Sequence, residues 1–219
     1  MRKTLYPMLA LMTTTLGLWM VTGCSSEITK PTQTEAAQTN EEKPASEPEG
    51  VRSPSMLANT CAGCHGTDGA SAGEIMPIIG GMEKEYMQLV LEEFKSGERR
   101  STIMGRIAKG YSDSEIKAIA SYLAAKPWIS STVKTDPKLV AMGKKIHEGQ
   151  CKTCHDDGGR VQEDDAPRLA GQWPDYTLHY LNDCRAKGMR CQPRKMGKRV
   201  SKLSDEELRA MAHYYASEK

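Results

Sequence analysis

Large aromatic side chains are scarce in this sequence: one Phe, three Trp and eight Tyr in 219 residues. Small domains struggle to bury enough apolar surface unaided. A large apolar group other than a side chain would relieve the shortage, so composition already points to a bound cofactor. Charge of one sign is also lacking. Thirty Lys and Arg face 28 Asp and Glu, a net of +2, which gives no electrostatic ground for a nucleic-acid partner. Strand-like alternation is missing as well. Finally, no apolar run suits a spanning helix. Leu5 to Val21 comes nearest, but Pro7 and the run Thr13, Thr14, Thr15 interrupt it, and it reads as the apolar core of an export signal.

Arg2 and Lys3 supply the positive start of that signal. It ends in Val21-Thr22-Gly23-Cys24, which resembles the lipobox of bacterial lipoproteins. The resemblance implies a signal peptide over 1–23 and lipid on Cys24, and therefore attachment to a membrane on its periplasmic side. Ordinary signal cleavage nearby and an uncleaved anchor are the other readings. Residues 24–52 are rich in Glu, Thr, Pro, Ser and Ala without apolar periodicity, and from 25 onward six acids face three bases. Such a stretch buries too little to fold and is expected to be a flexible tether.

The remainder contains itself twice. His65 and His155 lie 90 residues apart, as do Pro77 and Pro167, Ile79 and Leu169, Gly81 and Gly171, and Tyr86 and Tyr176. After a two-residue shift, MGRIAKGYSDSEIKAIASY from Met104 aligns with MGKRVSKLSDEELRAMAHY from Met196. A repeat of this length is a whole small domain. The expected boundaries are 53–128 and 138–219, with an aperiodic linker at 129–137. Helical signals dominate each copy. Tyr86, Leu89, Val90 and Phe94 share a helical face that Gly97 stops, and Ser112 and Ser204 each precede a Glu by three residues, as capping boxes do. The fold class is all-α, in two tandem domains.

Each copy opens with Cys-x-x-Cys-His: Cys61, Cys64, His65 and Cys151, Cys154, His155. The spacing puts two thiols on one turn, where they add to the two vinyl groups of haem, and the next His reaches the iron. A redox Cys pair needs no following His, and no second ligand pair stands at zinc-finger spacing. Two covalent haem c groups are therefore expected. The sixth iron ligand must come from the other face. Met104 follows His65 by 39 residues and Met196 follows His155 by 41, each just before Gly. A thioether there suits electron transfer. Met189 is the rival to Met196. His147, His179 and His213 read as packed or surface residues.

Two further cysteines, Cys184 and Cys191, are left over. In an oxidising compartment neighbouring spare thiols pair. Free thiols or a soft-metal site with nearby Met are the alternatives. Between Asp183 and Asp205 stand eight bases and no acid: Arg185, Lys187, Arg190, Arg194, Lys195, Lys198, Arg199 and Lys202. The run is a solvated face, a docking patch for an acidic redox partner, or a site for membrane phosphate.

The segments CAGCHGTDG, FKSGERRSTIMGRIAKGYSDSE and LAGQWPDY, within residues 55–219, resemble the dihaem cytochrome c subunit of flavocytochrome c sulfide dehydrogenase. That resemblance implies tandem cytochrome c domains. It implies a haem subunit without catalysis of its own, bound to a flavoprotein (FAD) that oxidises sulfide, with a downstream redox acceptor. It carries haem attachment and ligation onto Cys61, Cys64, His65, Met104, Cys151, Cys154, His155 and Met196. Stand-alone dihaem cytochromes of the same tandem build look similar, and imply a shuttle to a terminal oxidase instead. A haem sensor or peroxidase would need an open iron site.

Overall fold

The computed structural model describes residues 52–186, 191 and 193–219, all within one compact unit, Ala45–Lys219. The expected signal peptide, Cys24, the tether up to residue 51 and Met189 lie outside the described residues. Arg52 is described: its Nε donates to Glu115 Oε1 at 2.8 Å.

The first copy runs α1 (Pro54–Asn59), α2 (Ala62–His65), a single 3-10 turn (Thr67–Gly69), α3 (Lys84–Ser96), α4 (Met104–Ala108) and α5 (Asp113–Ala124). The second runs α6 (Pro137–Ile146), a π-type turn (His147–Cys151), the one-turn α7 (Asp156–Gly159), α8 (Pro174–Arg185), α9 (Arg194–Val200) and α10 (Asp205–Ser217). Among the described residues there is no strand, only an isolated bridge between Glu163 and Ala166. Local chemistry sets the ends. Both capping boxes form, Ser112 with Glu115 and Ser204 with Glu207. Pro54, Pro137 and Pro174 start their helices where no N–H is needed. Gly97 stops α3 at φ 86°, a left-handed position that suits glycine.

Within each copy the first and last helices pack together, α1 on α5 and α6 on α10. Leu57, Met82, Met87, Ile119 and Leu123 fill the first core; Leu181, Val200, Leu208, Met211, Tyr214 and Tyr215 fill the second. The α6–α10 crossing is close. A Cβ on Gly143 would lie 2.6 Å from Tyr214 Cβ and closer still to the Ala210 carbonyl oxygen.

The two Cys-x-x-Cys-His turns differ in how the chain enters them. Thr60 breaks the first from α1, its hydroxyl donating to Leu57 O at 2.6 Å. No break separates the second from α6, so the helix widens, and Lys152 N donates to His147 O at 2.9 Å. The turns themselves close alike. Cys61 O accepts from Cys64 N and His65 N at 3.2 and 2.9 Å, and Cys151 O from Cys154 N and His155 N at 3.2 and 3.1 Å.

The linker is irregular but fastened. Ser131, 3% exposed, donates its N–H to Gly171 O at 2.8 Å, and Asp136 N donates to His213 Nδ1 at 3.1 Å. The copies meet through polar contacts. Gln172 Oε1 accepts from Ile78 N and its Nε2 donates to Ile78 O, both at 3.0 Å. Gln162 repeats the move, accepting from Glu83 N at 2.9 Å and donating to Gly81 O at 3.1 Å. Trp173 Nε1 donates to Ser71 O at 3.0 Å, and Tyr176 N to Glu74 O at 3.0 Å. Side-chain amides thus satisfy backbone groups that the approach of the other copy would strip of water.

Replacing Gly143 by Val should push α6 off α10 and cost about 1–3 kcal/mol, as overpacking does. Gly149→Ala, where an added Cβ meets nothing within 4 Å, should stay within about 0.5 kcal/mol. Denaturant unfolding of the two variants checks the pair.

Candidate cofactor sites

In the first copy, α2 carries the motif on a single turn. His65 is 8% exposed and Cys61 half-buried against the core, while Cys64 is exposed. Burial lowers the pKa of the His65 imidazole from its usual value, and a hydrogen bond between its Nδ1 and Pro77 O, at 2.9 Å, works the other way. The result is a neutral ring, the form that ligates a metal. With Nδ1 held on a carbonyl, Nε2 is the ring nitrogen available to a metal. Met104 opens α4, which packs on α3, and the N–H of the following Gly105 donates to Ser101 Oγ at 2.7 Å.

In the second copy, Cys151, Cys154, His155 and Met196 line one cavity of 510 Å³. Leu169, Leu181, Val200, Leu203 and Met211 make its apolar wall; Met82 and Tyr86 of the first copy close one side. Burial pushes the His155 imidazole down to about 4, with nearby His147 adding to the effect, so this ring too is neutral. Its Nδ1 is enclosed without a hydrogen-bond partner among the described residues. A cavity of this size, walled by apolar side chains and lined by two thiols, an imidazole and a thioether, fits haem in chemistry and size. Burial pushes the Cys61 and Cys151 thiols up, keeping them protonated. It also pushes Tyr176 up to about 12, and Tyr86 further, so both stay neutral hydroxyls beside the cavity.

The other histidines sit elsewhere. His147 is buried with Nδ1 3.2 Å from Tyr215 Oη. His179 is exposed beside Asp183 at 3.8 Å. His213 accepts from Asp136 N. Among the described residues no group of three His, Cys, Asp or Glu could hold a metal ion, as a zinc site would require.

Two family models match the chain: cytochrome c over residues 54–126, and cytochrome C oxidase, cbb3-type, subunit III over residues 138–214. A thiosulfate dehydrogenase electron acceptor from Stutzerimonas stutzeri is 32% identical over 190 residues, 77% of this chain and 82% of that one. The chain belongs to the cytochrome c family. The cytochrome subunit of sulfide dehydrogenase from Chlorobaculum tepidum is 49% identical over 80 residues, 36% of this cytochrome and 72% of that chain. The crystal structure of reduced cytochrome c4 from Pseudomonas stutzeri superposes with a TM-score of 0.70 at 25% identity, covering 77% of this cytochrome and all of that chain. The protein is a dihaem cytochrome c with two covalently bound haem c groups, and it transfers electrons.

Sequence reasoning gave no hint of the polar seam between the copies or of the first copy's share in the second cavity. A glutamine carries no motif, and its role shows only once its distant partner is in place. The structure also joins Cys184 to Cys191, with Cα atoms 4.9 Å apart. Both are buried against Val200 and Leu203, and Cys191 Cβ lies 3.3 Å from where a Cβ on Gly197 would stand. The bond therefore ties α8 to the start of the helix bearing Met196. Cys184→Ser with Cys191→Ser should cost about 2 kcal/mol of stability in the chain-entropy account of a loop this short. Unfolding of the oxidised wild type against the double variant, both without reductant, measures it.

Proposed function

We propose that this cytochrome accepts electrons from a dehydrogenase that oxidises a reduced inorganic sulfur compound, sulfide foremost, and passes them on from its second domain. The observation that carries the reading is the 49% identity to the cytochrome subunit of a sulfide dehydrogenase. The relative named as an electron acceptor of thiosulfate dehydrogenase supports the same chemical class of donor over most of the chain. The partner is a flavoprotein (FAD) subunit, and a downstream acceptor takes the electrons away. A stand-alone carrier is the second reading, favoured by the likeness to cytochrome c4, all of whose length is covered by 77% of this chain.

In this reading Cys61 and Cys64 hold one haem by thioether bonds, and Cys151 and Cys154 the other. His65 and His155 would supply imidazole ligands to the irons, and Met104 and Met196 thioether ligands. Bound haem supplies a one-electron ferric/ferrous couple. The protein keeps both imidazoles neutral, walls off water and offers thioethers that raise the potential. With Met at both sixth positions neither iron is open, which disfavours a sensor or peroxidase. Lipid on Cys24, outside the described residues, anchors the protein on the periplasmic side. Among the described residues no helix is long and apolar enough to cross a membrane.

The basic run surrounds the second site. Arg194, Lys195 and Arg199 are exposed and line the mouth of its cavity, and Lys198 and Lys202 are exposed beside them. Arg185 differs, because its guanidinium pairs with Asp205. Lys187 and Arg190 lie outside the described residues. Positive charge around one redox site steers acidic partners to it. The second domain is thus the exit, and the first, which carries the likeness around Met104, is the entry.

Two measurements test this. The oxidised protein should show the weak near-infrared band of a ferric-iron–thioether bond, and Met104→Ala and Met196→Ala should each remove about half of it, one of two equivalent ligands. Loss of the second half in Met189→Ala instead would reassign that ligand. Separately, charge reversal at Arg194, Lys195 and Lys198 should slow reoxidation by the acceptor in a salt-dependent way, and leave flavoprotein-driven reduction by sulfide unchanged. Loss of flavoprotein binding would reverse entry and exit. Absence of sulfide-driven reduction with every flavoprotein tried would favour the stand-alone carrier.

A further inference from the structure

The carbonyl that receives His65 belongs to the peptide unit Pro77–Ile78, and the N–H of that same unit points into the other domain. Pro77 O lies 2.9 Å from His65 Nδ1, and Ile78 N donates to Gln172 Oε1 at 3.0 Å. Gln172 is 2% exposed and Ile78 fully buried. The amide orientation of Gln172 is forced: its oxygen faces two donors, Ile78 N and Trp173 N, both at 3.0 Å, and its nitrogen faces an acceptor, Ile78 O, at 3.0 Å. A flipped amide would set donors against donors.

We propose that Gln172 is a positioning residue for the first haem: it tunes the proximal ligand His65 from the second domain through the single peptide Pro77–Ile78. The proposal rests on His65 being an iron ligand. Hydrogen bonds in a chain polarise one another, and more so where water is excluded. An acceptor on the Ile78 N–H moves electron density onto Pro77 O and strengthens its bond to His65 Nδ1–H. A stronger bond there gives the ring more imidazolate character and raises its basicity as a ligand. Ferric iron gains from this more than ferrous iron, so the potential of the first haem falls. Among the described residues the second haem has no such device: ninety residues before Gln172 the repeat has Met82, which carries no amide, and His155 Nδ1 has no hydrogen-bond partner there. The asymmetry makes the first haem the lower of the pair, which is the order an entry site requires.

The other amide contact supplies the control. Gln162 holds the same loop at Gly81 and Glu83, yet touches neither end of the Pro77–Ile78 peptide. The experiment uses the full-length holoprotein. Each haem's potential is resolved by titration, and the hyperfine-shifted Nδ1 proton of His65 is followed by NMR in the ferric state. Gln172→Leu should raise the first potential, moving the electron distribution towards that haem by about three- to tenfold, less than the ten- to hundredfold typical of a direct ligand partner. It should also move the His65 proton; because Gln172 lines the second cavity as well, the second potential is followed too and should shift less than the first. Gln162→Leu should loosen the domain contact with neither effect. Gln172→Glu keeps an acceptor on Ile78 N–H, a stronger one, and should lower the first potential; this variant decides the matter if Gln172→Leu does not fold. Equal shifts in Gln172→Leu and Gln162→Leu would reduce Gln172 to interface packing and overturn the proposal, as would a rise in Gln172→Glu. A wild-type His65 proton with no hyperfine shift would overturn His65 ligation itself. A shifted proton that Gln172→Leu leaves in place overturns the relay alone.

Discussion

A neutral imidazole held in an apolar interior, one residue after a pair of thiols on a single turn, is the interaction around which each domain is arranged. The turn closes on one carbonyl oxygen in both copies, Cys61 O and Cys151 O. That closure aims His65 and His155 inward, where burial lowers the pKa of both rings. The helices then pack around the space that the imidazole faces. In the second domain this space is a 510 Å³ cavity. A chain with so few aromatic side chains leaves the middle of the core to the cofactor, which explains why its composition and its cavity agree.

The contact between the domains follows a different rule. Met82 and Tyr86 meet the second domain at its cavity, but polar groups hold the loop between residues 71 and 83. Two glutamines, Gln162 and Gln172, and the indole of Trp173 satisfy backbone groups of residues 71–83. These bonds fall on the loop that carries Pro77, the acceptor for His65. Met82 and Tyr86 of that same region wall the second cavity. The second cofactor site is therefore completed in part by the first domain, and the seam also holds the loop that carries the acceptor for His65.

Features that depend on neighbours in the chain were legible in the sequence. The repeat, both Cys-x-x-Cys-His turns, the capping boxes at Ser112 and Ser204 and the stop at Gly97 all follow from residues a few positions apart. The family resemblance added that each of the two domains is of the cytochrome c type. The π-type entry to the second turn was not legible, because it depends on α6 running on unbroken where Thr60 interrupts α1. The seam was hidden for a related reason: Gln172 finds its partner 94 residues away, and Gln162 finds Gly81 at 81. The basic run is not uniform in the fold, because Asp205, just beyond its end, takes up Arg185.

All of this depends on both turns carrying haem. Peptide mapping of the holoprotein by mass spectrometry tests that most directly. The account predicts one covalent haem on the peptide holding Cys61 to His65 and one on the peptide holding Cys151 to His155, with Cys184 and Cys191 in neither adduct. An unmodified motif, or haem bound through Cys184 or Cys191, would contradict it.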